Sequence, residues 1–543
     1  MFVLKGRVAT LRADGAVFNR GAVYVGDDGL IAAVTPGDAI PAGFENAPRI
    51  TAGGVIYPGL IDLHNHLMYN SLPLWTEPKR KVPWTSHNQW GGAASYSGTI
   101  SQPARLLGAA AGRALLRYAE TRAIVGGTTS IQGNPRGAVP PDNDLIRNID
   151  SERLGTHEDY IRVSTLVADS PEALESYVAA VKLGRGFIAH TAEGTDPKLR
   201  KEFQLLDQVG VVKRQLVAIH GAALTGDDLA QLQAGDSSLV WSPFSNFWLY
   251  GATADVKTAK AKGVRLCLGS DWGPSGTRNI LWELKVADLW NKSQPTPVFT
   301  DEDLVRLATS NPGEALSGIW PHPLGRIEKG ALADLIVTTP GTDVYRNLID
   351  ATESDIRLVV IGGRARYGVR PLMSALAPTA TPITVGRLAR SIDYGDPATT
   401  WKTVLAALDK VRKNPALAAQ RAADAFHALA TAGIFATGTT GAYTPGAGLA
   451  AGAAGAEAGG VDAFGVDAFA GVGSAGGAFV LLPDMPAPEL DVADRMRRGP
   501  AAETPQAVVV PPPEPLTTGP SWFDAVDANP FHGGLLSGLR DYA

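Results

Sequence analysis

Cysteine is almost missing from this sequence: Cys267 is the single example in 543 residues. That excludes an intramolecular disulfide framework and fits a reducing, cytoplasmic setting. Its place in the apolar run 264–268 makes it a predicted core residue. A cationic excess is missing too. Lys and Arg number 49 against 54 Asp and Glu, a net charge of −5, which leaves no basic footprint for nucleic acid. No run of about 20 strongly apolar residues is present, so no membrane helix is expected. Residues 1–11 carry Lys5 and Arg7 but no apolar stretch long enough for a signal peptide. These absences lead to the expectation of a soluble cytoplasmic protein.

What is present is an ordinary globular balance. Apolar residues make up 45% and charged residues 19%, enough to bury a large core, and the length implies two to four domains. Residues 1–56 read as short strands, at 2–9, 21–25 and 30–34, with Asp27-Asp28-Gly29 as a hairpin turn. Residues 57–322 alternate apolar strand-like runs with helical patterns, the rhythm of βαβ units and a parallel sheet. Strands are predicted at 55–66, 128–132, 161–167, 186–190, 216–220, 239–242 and 264–271, with one more required between 133 and 160. Across 323–397 strands return at 335–338, 356–361 and 383–391. They are too few to stand alone and are expected to pair with the first 56 residues as one discontinuous unit.

From 398 the composition changes. Trp401, Val404, Leu405, Leu408 and Val411 fall at helical spacing, and Asn414-Pro415 stops that helix. Gly/Ala-rich sequence follows, with a doubled Gly-Val-Asp-Ala-Phe at 460–469 and the cluster Pro511-Pro512-Pro513-Glu514-Pro515. Residues 398–543 are therefore expected to form a low-complexity extension, a helix and then a flexible or surface-draped tail with little to pack against. Every candidate site residue precedes it, so the extension is expected to be dispensable for chemistry.

Histidine is scarce, at nine residues, and four of the nine close predicted strands. His64 and His66 end Pro58-Gly59-Leu60-Ile61-Asp62-Leu63-His64-Asn65-His66. Residues two apart on a strand face one side, so both imidazoles can address one ion. His190 closes 186–190, His220 closes 216–220, and Asp271 closes 264–271. Imidazole and carboxylate together suit Zn²⁺, Fe²⁺ or Mn²⁺. In a barrel the carboxyl ends of all strands converge on one face, which makes such distant residues neighbours. A single strand-end histidine is more often a surface or satisfied core residue; four with an aspartate are hard to obtain by accident. Asp62 lies deeper in its strand and reads as structural.

Further motifs accompany these: His190-Thr191-Ala192-Glu193, Ser242-Pro243-Phe244-Ser245-Asn246, Gly269-Ser270-Asp271, Leu307-Ala308-Thr309-Ser310-Asn311-Pro312 and Gly325-Arg326-Ile327-Glu328-Lys329-Gly330-Ala331-Leu332-Ala333-Asp334-Leu335-Ile336. In order and content, over residues 1–372, the chain resembles the amidohydrolase superfamily, in its cytosine deaminase, S-adenosylhomocysteine deaminase and triazine hydrolase-like branch. The resemblance implies an α/β fold, a (β/α)8 TIM-like barrel with a discontinuous composite β-sandwich made from both of its flanks. It implies one divalent transition metal, zinc ahead of iron or manganese, with His64, His66, His190 and Asp271 resembling the ligands. His220 resembles the histidine that touches the metal-bound water or the substrate. Glu193 resembles the proton-shuttling glutamate of the deaminase branch. The expected chemistry is attack by a metal-activated hydroxide, with Asp271 accepting its proton, His220 steadying the oxyanion or the nucleophile, and Glu193 protonating the leaving nitrogen.

Two departures from the family pattern stand out. Many relatives carry a carboxylated lysine on the fourth strand that bridges two metals; Ile161-Arg162-Val163-Ser164-Thr165-Leu166-Val167 has none, which favours a mononuclear centre. Trp241 stands where close deaminase relatives have a histidine. The stretch after His66 is aromatic, with Tyr69, Trp75, Trp84 and Trp90, and either lids a flat substrate or packs an insertion onto the barrel. The function expected is hydrolysis of a non-peptide C–N bond, deamination of a planar heterocycle first. Opening of a cyclic amide or ring dechlorination is the alternative, and a non-catalytic scaffold of the same fold is the rival from another class. The expected partner is a planar small molecule, with no nucleic acid and no membrane, and a homo-oligomer is left open.

Overall fold

The computed structural model describes residues 1–37, 39–133, 145–149, 161–164, 170–420 and 508–543. Runs of alternating apolar residues at the two ends of the catalytic region meet in one nine-stranded sheet. Its strands are β1 (Phe2–Ala9), β2 (Val17–Val25), β3 (Ile31–Pro36), β4 (Arg49–Pro58), β13 (Leu335–Thr338), β14 (Ile356–Ile361), β15 (Arg364–Gly368), β16 (Thr381–Val385) and β17 (Leu388–Ile392). The order is β16-β17-β15-β14-β13-β4-β1-β2-β3, so the flanks join where β13 runs antiparallel to β4, Leu335 opposite Pro58. Period 2 decides what each face buries. Leu4, Val8, Ile56, Leu335, Val337 and Val360 pack with Met373, while Val55, Tyr57 and Ile336 turn to the main core. The predicted strand 383–391 is instead the hairpin β16–β17, because Gly386 with φ 59° allows a two-residue turn between Val385 and Leu388.

Between the flanks lie two parallel sheets. One holds β5 (Leu60–Asp62), β6 (Thr128–Ile131) and β7 (Arg147–Asn148); the other runs β12-β11-β10-β9-β8. These are β8 (Ile161–Ser164), β9 (Gly186–Thr191), β10 (Leu216–His220), β11 (Ser238–Trp241) and β12 (Arg265–Leu268). β7 is the strand required between 133 and 160. A parallel bridge between Asn65 and Asp271 links the exits of β5 and β12, and no ladder joins β7 to β8 among the described residues. Strands β9 to β12 are apolar on both faces, as strands covered on both sides must be. Ile188, Val217, Ile219, Val240 and Cys267 pack with Leu316 and Trp320, while Phe187, Leu216, Leu239 and Leu266 face the helices. Cys267 is accordingly buried, and burial pushes its thiol up to about 12.

The stripe predicted from Trp401 is the helix Trp401–Lys413, which buries Val404, Leu408 and Val411 and stacks Trp401 on Tyr118 at 5.8 Å. The doubled pentapeptide at 460–469 lies outside the described residues. Residues 508–543 differ from the expectation of a tail with little to pack against. Helix Pro520–Ala528 buries Trp522, Phe523 and Val526, with Trp522 stacked on Phe244 and Phe523 against Trp282. No helix among the described residues is long and apolar enough to cross a membrane.

Candidate metal centre and active site

β5 ends at Asp62 and the chain delivers His64, Asn65 and His66 directly beyond it. The His64 ring centroid lies 4.7 Å from that of His190 and 5.0 Å from those of His66 and His220. Asp271 Oδ1 is 3.1 Å from His64 Nε2 and 3.7 Å from His66 Nε2. Three overlapping groups each bring their ligand atoms within 4.8 Å: His64, His66 and His190; His64, His220 and Asp271; His190, Glu193 and His220. All six predicted site residues are therefore together, and all are buried.

Local backbone features make this convergence possible. On β10, Leu216 and Ala218 face the helices, and period 2 would send His220 the same way. His220 instead has φ 66°, which turns its side chain from that course. Asp271 has φ 58°. Non-glycine residues in this region carry a cost of about 1–3 kcal/mol, sustained only where surrounding contacts fix them. For Asp271 those contacts include its N–H donating to the His64 carbonyl at 2.9 Å. Gly269 permits the approach, since a Cβ there would lie 2.4 Å from His64 Cβ. Asp62 ties the two exits together from below. It accepts from the Ser270 N–H at 3.0 Å, the Ser270 hydroxyl at 2.5 Å and Asn65 Nδ2 at 3.2 Å, the structural role its depth suggested. Burial raises its carboxyl to about 6.

The electrostatics prepare a donor set. Burial lowers His64, and burial with the neighbouring imidazoles lowers His190 well below the usual histidine range. For Asp271 burial opposes ionisation, but His64, His220 and His66 outweigh it and hold the carboxyl far below the usual range. Neutral imidazoles beside an ionised carboxylate are the protonation states that metal ligation requires. His64 Nδ1 and His220 Nε2 are buried with no hydrogen-bond partner among the described residues. Such groups carry a desolvation cost of about 1–3 kcal/mol each. A divalent cation shared by these imidazole nitrogens and the carboxylate would answer that deficit, so these residues fit a metal.

Glu193 stands beside the cluster, with Oε1 3.8 Å from His220 Nε2. Three residues near it carried no assigned role in the sequence. Asn246 Oδ1 lies 2.9 Å from His220 Nδ1, while its Nδ2 donates to Thr253 Oγ1 at 3.1 Å, which turns Oδ1 on the histidine and leaves Nε2 facing the site. Tyr250 donates to Glu193 Oε1 at 2.6 Å, and Trp90 Nε1 donates to the Tyr250 oxygen at 3.0 Å. Asn246 was visible as the end of Ser242-Pro243-Phe244-Ser245-Asn246 and Trp90 as part of the aromatic stretch; Tyr250 gave no signal. Trp241, whose identity departs from the deaminase pattern, faces the helices and donates to Thr253 Oγ1 at 2.7 Å. The aromatic stretch itself is packed. Tyr69, Trp75, Trp84 and Trp90 are buried, Trp75 stacks on Trp84, and Trp90 meets Trp272 at 5.4 Å.

Residues 55–366 match the Amidohydrolase family. The chain is 26% identical over 396 residues to a 5-methylthioadenosine/S-adenosylhomocysteine deaminase of Moorella thermoacetica, covering 64% of this chain and 90% of the relative. It is 28% identical over 421 residues to the enzyme of that name from Syntrophobacter fumaroxidans, covering 69% and 94%. Among solved structures, an adenosine deaminase from Xanthomonas campestris with bound zinc superposes with a TM-score of 0.58 at 19% identity, over 76% of this chain and 98% of that one. The zinc complex of an atrazine chlorohydrolase from Arthrobacter aurescens TC1 gives 0.56 at 16% identity, over 76% and 100%. At such identities the structural likeness speaks to fold alone.

Proposed function

Because the chain belongs to the amidohydrolase family, we propose that it is a metal-dependent hydrolase of a non-peptide C–N bond that deaminates a planar amino-heterocycle. The observation that carries this reading is Glu193, a buried carboxylate held at the edge of a histidine and aspartate cluster that suits a divalent metal. The related deaminases by sequence make an aminopurine the first substrate class to test.

His64, His66, His190 and Asp271 are proposed to hold one ion, zinc as in the related structures. The sequence of β8, Ile-Arg-Val-Ser, has no lysine to bridge a second. Bound there, the ion supplies Lewis acidity that lowers the pKa of a water molecule. His220, oriented through Asn246, presents Nε2 to the nucleophile and the reacting carbon. Asp271 is placed to take the first proton, and Glu193 to carry one to the departing nitrogen. The two parallel sheets are read as parts of one (β/α)8 barrel over residues 57–322, a closure the Asn65–Asp271 bridge supports. Residues 1–56 and 323–397 are read as a composite β-sandwich, and 398–543 as an extension.

Chelator-free protein should contain near one transition metal per chain and release ammonia from at least one of 5-methylthioadenosine, S-adenosylhomocysteine, adenosine, guanine, a pterin or an aminotriazine. Ring dechlorination or cyclic-amide opening with no ammonia release from any of these would overturn the deaminase reading. Two metals per chain would overturn the mononuclear one.

A further inference from the structure

Tyr250 is the last residue of helix Pro243–Tyr250, which Gly251 ends with φ 65°. It is buried, and chemistry fixes the direction of both its hydrogen bonds. An indole N–H can only donate, so the Tyr250 oxygen accepts from Trp90 and its single proton is left for the Glu193 carboxylate. Burial, then the charge of Glu193, raises the hydroxyl well above 10, so it remains a donor. The oxygen it holds, Oε1, is the one that faces His220 Nε2. The relay joins three separate parts of the chain: the loop after β5, the exit of β9 and the helix after β11.

We propose that Tyr250 is a positioning residue for Glu193, with Trp90 directing its hydroxyl, an inference that rests on the deaminase reading above. During deamination the attacking water forms the new C–O bond and gives up both protons in turn, one by way of Asp271 to the ring nitrogen and the other to Glu193. Glu193 carries a proton to the amino nitrogen, the C–N bond breaks and ammonia leaves with the bonding pair. Tyr250 keeps its own proton throughout. A carboxylate that first accepts and then delivers must offer the same trajectory twice, and small misplacement is costly to the rate. A hydrogen bond from a buried phenol to a charged oxygen is strong enough to hold it.

Crystal structures of metal-loaded wild type and Tyr250→Phe provide the first arm. The Glu193 carboxylate should sit against Tyr250 in wild type and leave that position in the variant. An unmoved carboxylate overturns the proposal, whether or not any substrate is found. On the amino-heterocycle that wild type turns over, Tyr250→Phe should lower kcat about ten- to a hundredfold with KM near wild type and metal content unchanged. Trp90→Phe should act in the same direction to a smaller extent, which keeps the relay testable if the tyrosine variant folds poorly. On a Glu193→Gln background both substitutions should cost no further rate, and equal losses on both backgrounds would overturn the proposal. Failure of the deaminase reading shows separately, as absence of ammonia release by wild type, and the crystallographic arm still decides the role of Tyr250.

Discussion

His64 Nδ1 and His220 Nε2 are buried with no hydrogen-bond partner among the described residues, and the Asp271 carboxyl, held far below the usual range, lies in the same enclosure. Left alone, that combination opposes folding, and a bound cation would offset the cost. Glu193 differs from them because its Oε1 accepts a hydrogen bond from a neutral phenol, that of Tyr250, at 2.6 Å. Substituting a proposed ligand and substituting the proposed shuttle should have separable effects. Glu193→Gln should keep metal and lose about 10² to 10⁴ in turnover on an amine leaving group. His66→Ala should lose metal and turnover together. Elemental analysis alongside ammonia release reads both, and a fully metallated Glu193→Gln protein of wild-type rate would remove Glu193 from the mechanism. The four histidines and Asp271 that the structure brings together could be singled out in the sequence because histidine is rare and each lies at or just past the end of an apolar run, whereas Glu193 came only from the family resemblance. Tyr250 could not be singled out, because nothing in Phe-Trp-Leu-Tyr distinguishes a residue that meets Glu193 from one that fills the core. Its role exists only once the helix after β11 faces the exit of β9.

At the level of elements, the loop after β5 is fixed to the exit of β9 by more than ring packing. Ser86 bridges Gly194, the His87 N–H donates to the Glu193 carbonyl, and His87 Nε2 lies 2.9 Å from Glu202 Oε1. Glu202 also accepts from the Ala192 N–H at 2.6 Å, so one carboxylate braces both sides of Glu193. Burial disfavours the His87 imidazolium, but Glu202 and Glu193 outweigh it and raise its pKa above 6.5. A raised histidine contributes stability that is complete below the unfolded value and lost as pH rises through the folded one. The difference in unfolding free energy between wild type and His87→Gln, read from thermal melts, should thus be largest below pH 6.5, at about 1.5–3 kcal/mol, and shrink above it. A difference that stays constant from pH 5.5 to 9 would dissociate the pair from the anchoring of this loop. Element boundaries were readable where apolar runs were long, as in β9, β10, β13 and β14. β7 escaped because it is two polar residues, with Arg147 held by Asp334 at 2.9 Å rather than by a hydrophobic run. The β16–β17 turn escaped because Gly386-Arg387 lacks the usual hairpin dipeptides.

For the molecule as a whole, the last residues matter more than their composition advertised. Averaged over 398–543 the sequence looks unable to pack, yet Trp522, Phe523 and Val526 form an apolar stripe on one short helix. Around it, Glu514 pairs with the buried Arg278 at 2.5 Å, Asn529 Nδ2 donates to the Trp248 carbonyl at 3.1 Å, and Tyr542 donates to Asp288 at 2.5 Å. Phe531 approaches so closely that a Cβ on Gly251 would lie 2.8 Å from its carbonyl oxygen. These contacts grip helices Pro243–Tyr250 and Ile280–Ser293, and the first of them carries both Asn246 and Tyr250. Residues 508–543 thus back the helix that orients His220 and Glu193, which argues against the expectation that the extension is dispensable for chemistry. Trp522→Ala removes the ring stacked on Phe244 at 5.4 Å and leaves a cavity beneath that helix. Large-to-small changes of this kind cost about 3–5 kcal/mol, so the apparent Tm should fall clearly. The proposed ligands, on β9 and just beyond β5 and β12, lie on other elements than this helix, so metal content should hold while kcat falls with the loosened helix. Thermal melts, elemental analysis and turnover on one preparation separate the effects. A variant with lowered Tm but unchanged kcat would confine the C-terminal segment to stability, and one with wild-type Tm would show that the packing of Trp522 contributes little to the fold.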